Sequence, residues 1–286
     1  MLQTLLQSNK KLALILIKTQ REVFSKITGD NLSKTRGKGF DFVELREYES
    51  GDDIRHIDWI VTAKKAKPYV KLFHPQRELN VVIAPLLCAS LHFGTTALKK
   101  DVLIQVCALL SYSCIKQNDP FESYICSDEI FLCTQKTKQI FGVRTLTEKI
   151  DGFDVLGKTL DYTQITQTLY NHLRHKSILF LIGDFFDTKD LNLRALSLKH
   201  ELVVIIIRDR FEEDPVQLGE LNITDPALGI NSDVTLNEAA LKVYRKKIFE
   251  HDNAFSEKLQ NAGIRFVKIY TDEDPAEKII SLMSRI

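Results

Sequence analysis

From residue 79 onward, the chain alternates between short apolar runs and longer stretches with helical periodicity. Continuous apolar runs of this length are typical of strands buried on both faces of a sheet. The predicted strands are 81–87, 121–126, 130–133, 177–182, 202–207 and 264–269. The predicted helices are 97–116, 143–150, 161–174, 189–199, 236–262 and 275–285. This order predicts an α/β fold, Rossmann-like, with a mostly parallel sheet and helices on both faces.

The residues before this alternation predict a separate region, so we divide the chain into 1–76 and 77–286. Residues 2–27 predict an amphipathic helix with its apolar side toward a core, and binding to a membrane surface is the alternative. Residues 28–39 are polar, basic and contain glycine, which is typical of a loop.

Residues 40–45 predict an extended segment, followed by an acidic turn. Asp52 or Asp53 is expected to cap a helix that starts there. Arg55 and Asp58 are then three residues apart and can pair on one side of that helix. Its apolar side is formed by Ile54, Ile57 and Val61.

Composition places the chain among ordinary globular proteins. Of 286 residues, 44% are hydrophobic and 27% are charged, which excludes a disordered chain. The 39 Lys and Arg residues nearly balance 38 Asp and Glu, so no basic excess favours nucleic-acid binding. The five cysteines form no Cys-x-x-Cys pair, which favours reduced thiols. No apolar run reaches the roughly 18 residues of a membrane span. We therefore expect a cytoplasmic protein without such a span.

Ligand sites of open α/β sheets lie beyond the carboxyl ends of the strands. Neither a phosphate-binding loop nor a Gly-x-Gly-x-x-Gly or Gly-x-Ser-x-Gly motif is present there. Cys88 is either a reactive thiol or, as we favour, a packed one. Asp184 could bind an ion or simply cap the next helix. We identify no catalytic residue, expect no cofactor and predict that the chain is not an enzyme.

The segment 39–73 resembles the signature of a bacterial family, domain of unknown function 58. The matching positions are Arg46, Tyr48, Gly51, Asp52, Asp53, Arg55, Ile57, Asp58, Trp59 and Ala63. Lys64 stands where that family usually has Arg. The segments 90–94 and 183–187, together with Asp209, are also similar to the family, so the resemblance covers nearly the whole chain.

This resemblance implies a von Willebrand factor A-like domain behind an N-terminal signature region. Members are often linked with MoxR-type AAA+ ATPases, and also with other von Willebrand factor A proteins. They are thought to assist the assembly, activation or cofactor loading of other proteins. The expected function is therefore a non-enzymatic protein-interaction module with such an ATPase as partner, and no nucleic acid.

Von Willebrand factor A domains bind a metal through Asp-x-Ser-x-Ser after the first strand, plus a later Thr and Asp. The resemblance places Leu86 and Cys88 at the Asp and first Ser positions, so only Ser90 remains. Asp184 supplies one further carboxylate. Mg²⁺ prefers a nearly octahedral set of oxygens, so we predict a degenerate site without metal. The alternatives are a metal-dependent ligand-binding domain using Ser90 and Asp184, or less favourably a hydrolase.

The signature from Arg46 to Trp59 has two interpretations. In the first, Arg46, Asp52, Asp53, Arg55 and Asp58 form a docking surface, with Tyr48 and Trp59 as interface anchors. In the second, the same charges form an internal ion-pair network and Trp59 lies in the core. We favour the second interpretation.

Overall fold

The computed structural model describes residues 40–75, 79–188 and 190–283. They belong to two compact units, a smaller one described over 40–75 and a larger one described from Leu79 onward. The predicted helix at 2–27, the loop at 28–39 and the boundary after residue 76 lie outside the described residues. Within those three described ranges, every helix is too short or too polar to cross a membrane.

The smaller unit is an antiparallel hairpin of β1 (Phe40–Glu47) and β2 (Tyr69–Pro75). A short 3-10 turn at Ile54–His56 and helix α1 (Trp59–Lys65) connect the two strands. The single helix predicted from Asp52 or Asp53 is therefore wrong. The chain leaves helical geometry at Ile57 because this residue forms a β-bridge with Val70 of β2.

The larger unit is built around a six-stranded sheet. The strands of this unit are β3 (Val81–Pro85), β4 (Phe121–Cys126), β5 (Ile130–Thr137), β6 (Ile178–Gly183), β7 (Glu201–Arg208), β8 (Gly219–Thr224), β9 (Asn231–Leu236) and β10 (Arg265–Tyr270). The sheet runs in the order β10-β7-β6-β3-β4-β5, and β5 alone is antiparallel to its neighbour within it. Strands β8 and β9 form a separate hairpin, which the sequence did not predict because its residues are mostly polar and exposed.

Helices cover both faces of this sheet. They are α2 (Lys99–Gln117), α3 (Ile140–Asp151), α4 (Tyr162–His172), α5 (Arg194–Lys199), α6 (Arg210–Glu213), α7 (Glu238–Asn261) and α8 (Pro275–Met283). Alternate residues of β3 point to opposite faces, so Val81 and Ile83 join the core under α2, α3 and α8. Val82 and Ala84 join the core under α4, α5 and α7. The mostly parallel α/β fold predicted from the sequence is confirmed.

The strand order decides where a site can form. Strands β7, β6 and β3 are neighbours and parallel, so their carboxyl ends lie at one edge of the sheet. The loops that follow them carry residues named from the sequence: Leu86, Cys88 and Ser90 after β3, Asp184 after β6 and Asp209 after β7.

Candidate functional site

Leu86, which the resemblance placed at the position of a metal-binding carboxylate, is an apolar core residue. Leu86 is buried, and its backbone N–H donates to Ile182 O at 2.8 Å. A Cβ added to Gly183 would lie 3.0 Å from Leu86 Cβ. Gly183 therefore makes room for the leucine, and Leu86 belongs to the core of the sheet.

The loop after β3 brings a thiol and a hydroxyl to the end of β6. Cys88 Sγ lies 3.0 Å from Ser90 Oγ and 3.8 Å from Asp184 Oδ1. Burial, together with the nearby Asp184 charge, raises the pKa of Cys88 to about 12. Because only the thiolate is nucleophilic, the geometry favours the packed thiol over the reactive one.

A lysine that the sequence analysis did not select lies at the centre of this group. Lys99, the first residue of α2, is 0% exposed. Its Nζ lies 3.2 Å from Asp184 Oδ2 and 2.5 Å from Glu212 Oε1. The ammonium therefore joins the end of β6 to helix α6.

The two carboxylates respond differently to this environment. Burial alone would raise the pKa of Asp184, but the Lys99 ammonium and a hydrogen bond from Ser90 outweigh it and hold that pKa below its ordinary value. Burial raises the pKa of Glu212, and Lys99 only partly offsets this. Both carboxylates pair with the same ammonium, and Glu212 is the closer of the two.

Hydrogen bonds around Asp209 fix Glu212 in place. Asp209 caps α6, and its backbone N–H donates to Glu212 Oε2 at 3.0 Å. The Asp209 carboxylate accepts hydrogen bonds from Thr95 N at 2.8 Å and from Thr271 Oγ1 at 2.6 Å. Although burial opposes it, these bonds keep the pKa of Asp209 below its ordinary value. The loops after β3, β7 and β10 are therefore locked to one another.

A second buried cation lies beside the first. The Arg208 guanidinium stacks on the Phe186 ring, 4.0 Å from its centroid, and one of its NH2 groups lies 3.2 Å from Asp252 Oδ1. Lys99 Nζ lies 5.5 Å from the centroid of the same ring. Phe186 thus packs against both cations, and both are paired with carboxylates.

A cleft of about 840 Å³ opens beside this cluster. Cys88, Ser90, Asp184 and Phe186 line one part of it, and the tip of the β8–β9 hairpin at 225–227 lines another. On the side of the cluster, a protonated thiol, a hydroxyl and an ion-paired carboxylate face it, and its lining also includes Lys158, Asp161, Asp187, Asp190 and Asp225. Carboxylates thus outnumber cations in the lining of this cleft.

In the smaller unit, ion pairs fix the turn of the signature. Arg46 lies 2.8 Å from Asp52 Oδ1 and 3.0 Å from Glu49 Oε2. Asp52 Oδ2 accepts a hydrogen bond from Glu49 N at 2.9 Å. Gly51 has a φ of +114°, which favours glycine at this position of the turn.

The other two aspartates of the signature cap helical segments. Asp53 caps the 3-10 turn, and the Arg55 side chain that bonds both its oxygens lowers the pKa of Asp53 to about 2. Asp58 caps α1, and its Oδ2 lies 2.9 Å from Lys71 Nζ. The bond to Lys71 and the capping hydrogen bonds lower the pKa of Asp58. The predicted pair of Arg55 with Asp58 is thus replaced by these two pairs.

The tryptophan of the signature points outward. Trp59 is 69% exposed and Ile60 is 70% exposed in the first turn of α1, and Ile54 is exposed as well. Tyr48 contributes a backbone N–H that donates to Pro68 O at 2.9 Å. The prediction that Trp59 lies in the core is wrong, since α1 begins at this residue and leaves its side chain exposed. The network of charges is real, but it is local and leaves an apolar surface open.

Comparison with known proteins shows which family this chain belongs to. The model of the family described as "Protein of unknown function DUF58" matches residues 44–254. Uncharacterized proteins of Mycobacterium bovis and Mycobacterium tuberculosis are 23% identical over 263 residues, which cover 90% of this chain and 82% of each relative.

Solved structures that match this chain share little sequence with it. The hypothetical protein BatB of Bacteroides thetaiotaomicron is 9% identical with a TM-score of 0.43, over 72% of this chain and 98% of that one. A von Willebrand factor type A protein of Catenulispora acidiphila is 9% identical with a TM-score of 0.39, over 76% of this chain and 43% of its own.

A third match corrects the predicted location. It is called an aerotolerance-related membrane protein of Bacteroides fragilis and is 10% identical with a TM-score of 0.41, over 73% of this chain and 100% of its own. The cytoplasmic location expected from cysteine usage and the missing apolar run is contradicted by this finding. Neither of those sequence features reports on association with a membrane, so we withdraw that location.

Proposed function

The chain belongs to the family described as protein of unknown function DUF58, and we propose that it is a non-enzymatic protein-interaction module that serves a MoxR-type AAA+ ATPase. The observation that carries this proposal is the exposure of Trp59 and Ile60 in one helical turn. Exposed large apolar side chains that are close together mark interaction sites, whereas scattered ones do not.

The charges around this turn support a docking role. Arg46, Asp52, Asp53 and Asp58 are engaged in local bonds that hold the turn and cap the helix. The Arg55 side chain is 84% exposed and is oriented by Asp53. Trp and Arg are the side chains most enriched among residues that dominate binding energy at interfaces, and a preformed surface loses less entropy on binding.

The cluster of Cys88, Ser90, Asp184 and Lys99 at the strand ends supports the non-enzymatic part of the proposal. Its thiol carries a raised pKa, and its central carboxylate is neutralised by Lys99. The choice of an AAA+ ATPase as partner comes from the resemblance of the signature. In this proposal the module brings the ATPase together with another protein, and that other protein is the one to be assembled or activated.

The test is binding of the purified chain to a purified MoxR-type ATPase of the same organism, held with a non-hydrolysable ATP analogue. We expect Trp59→Ala to cost about 2 kcal/mol of binding free energy or more, roughly thirtyfold in Kd. Arg55→Glu should weaken binding as well, because it reverses an exposed charge. Far-UV circular dichroism checks that both variants are folded.

The matched control is Phe249→Ala, which removes an equally exposed aromatic side chain, 67% exposed, from α7 of the larger unit. It should bind as the wild type does. Binding that is absent in the wild type, or that falls equally in Phe249→Ala and Trp59→Ala, contradicts the proposal.

A further inference from the structure

The position of Lys99 is unfavourable by every local criterion. It is the first residue of a 19-residue helix, where the helix dipole disfavours positive charge. The preceding residue, Leu98, has no polar side chain to offset it. A lysine with 0% exposure also loses its hydration. Its presence there has to be explained by the groups that surround the ammonium.

Those groups form a set of oxygen ligands suited to a cation. Two carboxylate oxygens lie within hydrogen-bonding distance of Nζ, Asp184 Oδ2 at 3.2 Å and Glu212 Oε1 at 2.5 Å. The Ser90 hydroxyl, which lies 3.0 Å from Cys88 Sγ, adds an oxygen that hydrogen-bonds to Asp184. Carboxylate and hydroxyl oxygens are the ligands that Mg²⁺ and Mn²⁺ prefer. Without a cation, the buried carboxylate of Asp184 and the partly buried carboxylate of Glu212 would be left unneutralised.

The donors come from separate parts of the fold, which makes the arrangement a built one. Asp184 follows β6, Glu212 lies in α6 and is held by the capping hydrogen bond from Asp209 N at 3.0 Å, and Ser90 lies in the loop after β3. Neither the Asp184 nor the Glu212 carboxylate moves freely, since burial and the hydrogen bonds between the loops hold them.

We propose that the Lys99 ammonium is a tethered cation that fills a latent divalent-metal site. In the wild-type chain the covalently attached charge satisfies Asp184 and Glu212 permanently, so this edge of the sheet is indifferent to divalent cations and to chelators. When the ammonium is removed and an oxygen donor takes its place, the same carboxylates and Ser90 coordinate a divalent ion. This inference does not depend on the identity of the protein partner.

The variant Lys99→Ser tests it, because it removes the ammonium, opens space and adds a hydroxyl. Calorimetric titration with MnCl₂ alone should show a binding site in Lys99→Ser that the wild type lacks, and Mn²⁺ should raise the unfolding temperature of the variant only. Adding Asp184→Asn to Lys99→Ser should abolish both effects. Lys100→Ser makes the same charge change one residue further along α2 and should behave as the wild type.

Two results overturn the proposal. One is Mn²⁺ binding by the wild type with the affinity of the variant, and the other is a folded Lys99→Ser that binds no Mn²⁺. If Lys99→Ser does not fold in metal-free buffer, circular dichroism during the titration decides. Recovery of helical signal with Mn²⁺ supports the latent site, and a chain that stays unfolded at saturating Mn²⁺ contradicts it.

Discussion

Replacing Lys99 by methionine should be among the most destabilising single changes in the larger unit. Methionine keeps an unbranched side chain of similar length but removes the ammonium between Asp184 and Glu212. Removing one partner of a buried ion pair typically costs about 3–5 kcal/mol, because the remaining charge is left uncompensated. At 2–4 °C per kcal/mol, this lowers the unfolding temperature by roughly 6–20 °C.

The pH dependence of this loss has a defined sign. The pKa of Glu212 is already raised in the folded chain, mainly by burial. Without Lys99 it should rise further, so Glu212 takes up a proton as the pH falls and one of the two stranded charges disappears. The variant should therefore lose less stability at mildly acidic pH than at neutral pH.

Urea denaturation followed by far-UV circular dichroism measures this loss, since most of the helices lie in the larger unit. Lys246→Met is the matched control, because it removes an exposed lysine with only an i, i+4 partner, a pair worth about 0.3–0.5 kcal/mol. Lys99→Met/Asp184→Asn should recover part of the stability, since it also removes one of the two carboxylates left without a counter-ion. A loss in Lys99→Met no larger than that of Lys246→Met refutes the reasoning.

Two further predictions concern buried groups of the larger unit. His200 is 2% exposed, neither ring nitrogen has a hydrogen-bond partner among the described residues, and burial lowers its pKa below the usual 6.5. As the pH falls through 6.5, the unfolded chain takes up a proton that the folded chain does not. The unfolding free energy should drop there, and His200→Leu should flatten that drop; an unchanged pH profile contradicts this. Cys88, with its pKa raised to about 12, should resist iodoacetamide until urea unfolds the chain, as peptide mass spectrometry can show; fast labelling of the native chain would argue for a reactive thiol.

The sequence predicted the sheet well because its central strands are continuous runs of apolar residues. The strand predicted at 202–207 is observed as Glu201–Arg208, and the helix predicted at 97–116 is observed as Lys99–Gln117. Continuous apolar runs leave few alternatives in a domain of this size. The β8–β9 hairpin was missed because its strands are polar and exposed on both faces.

The site was predicted only in part, for a physical reason. Asp184 could be found because strand ends are where α/β sheets bind ligands, and Ser90 because of the family resemblance. Lys99 and Glu212 could not, since a lysine at the start of a helix and a glutamate in an acidic turn look like solvated residues. Two consecutive lysines in a first turn, against the helix dipole, were the one available signal. The exposure of Trp59 depends on where α1 starts, and that is set by a bridge between Ile57 and Val70 that sequence spacing does not reveal.

The docking role of the exposed turn can be tested on a single nucleus. Trp59 is the only tryptophan of the chain, so a fluorinated tryptophan gives one fluorine-19 resonance from this side chain. Adding the unlabelled MoxR-type ATPase with a non-hydrolysable ATP analogue should shift and broaden that resonance, because the indole passes from water into an interface. A resonance that stays unchanged at saturating ATPase would contradict the proposal that this surface binds the ATPase. It would mean either that the two proteins do not bind or that they bind through another surface.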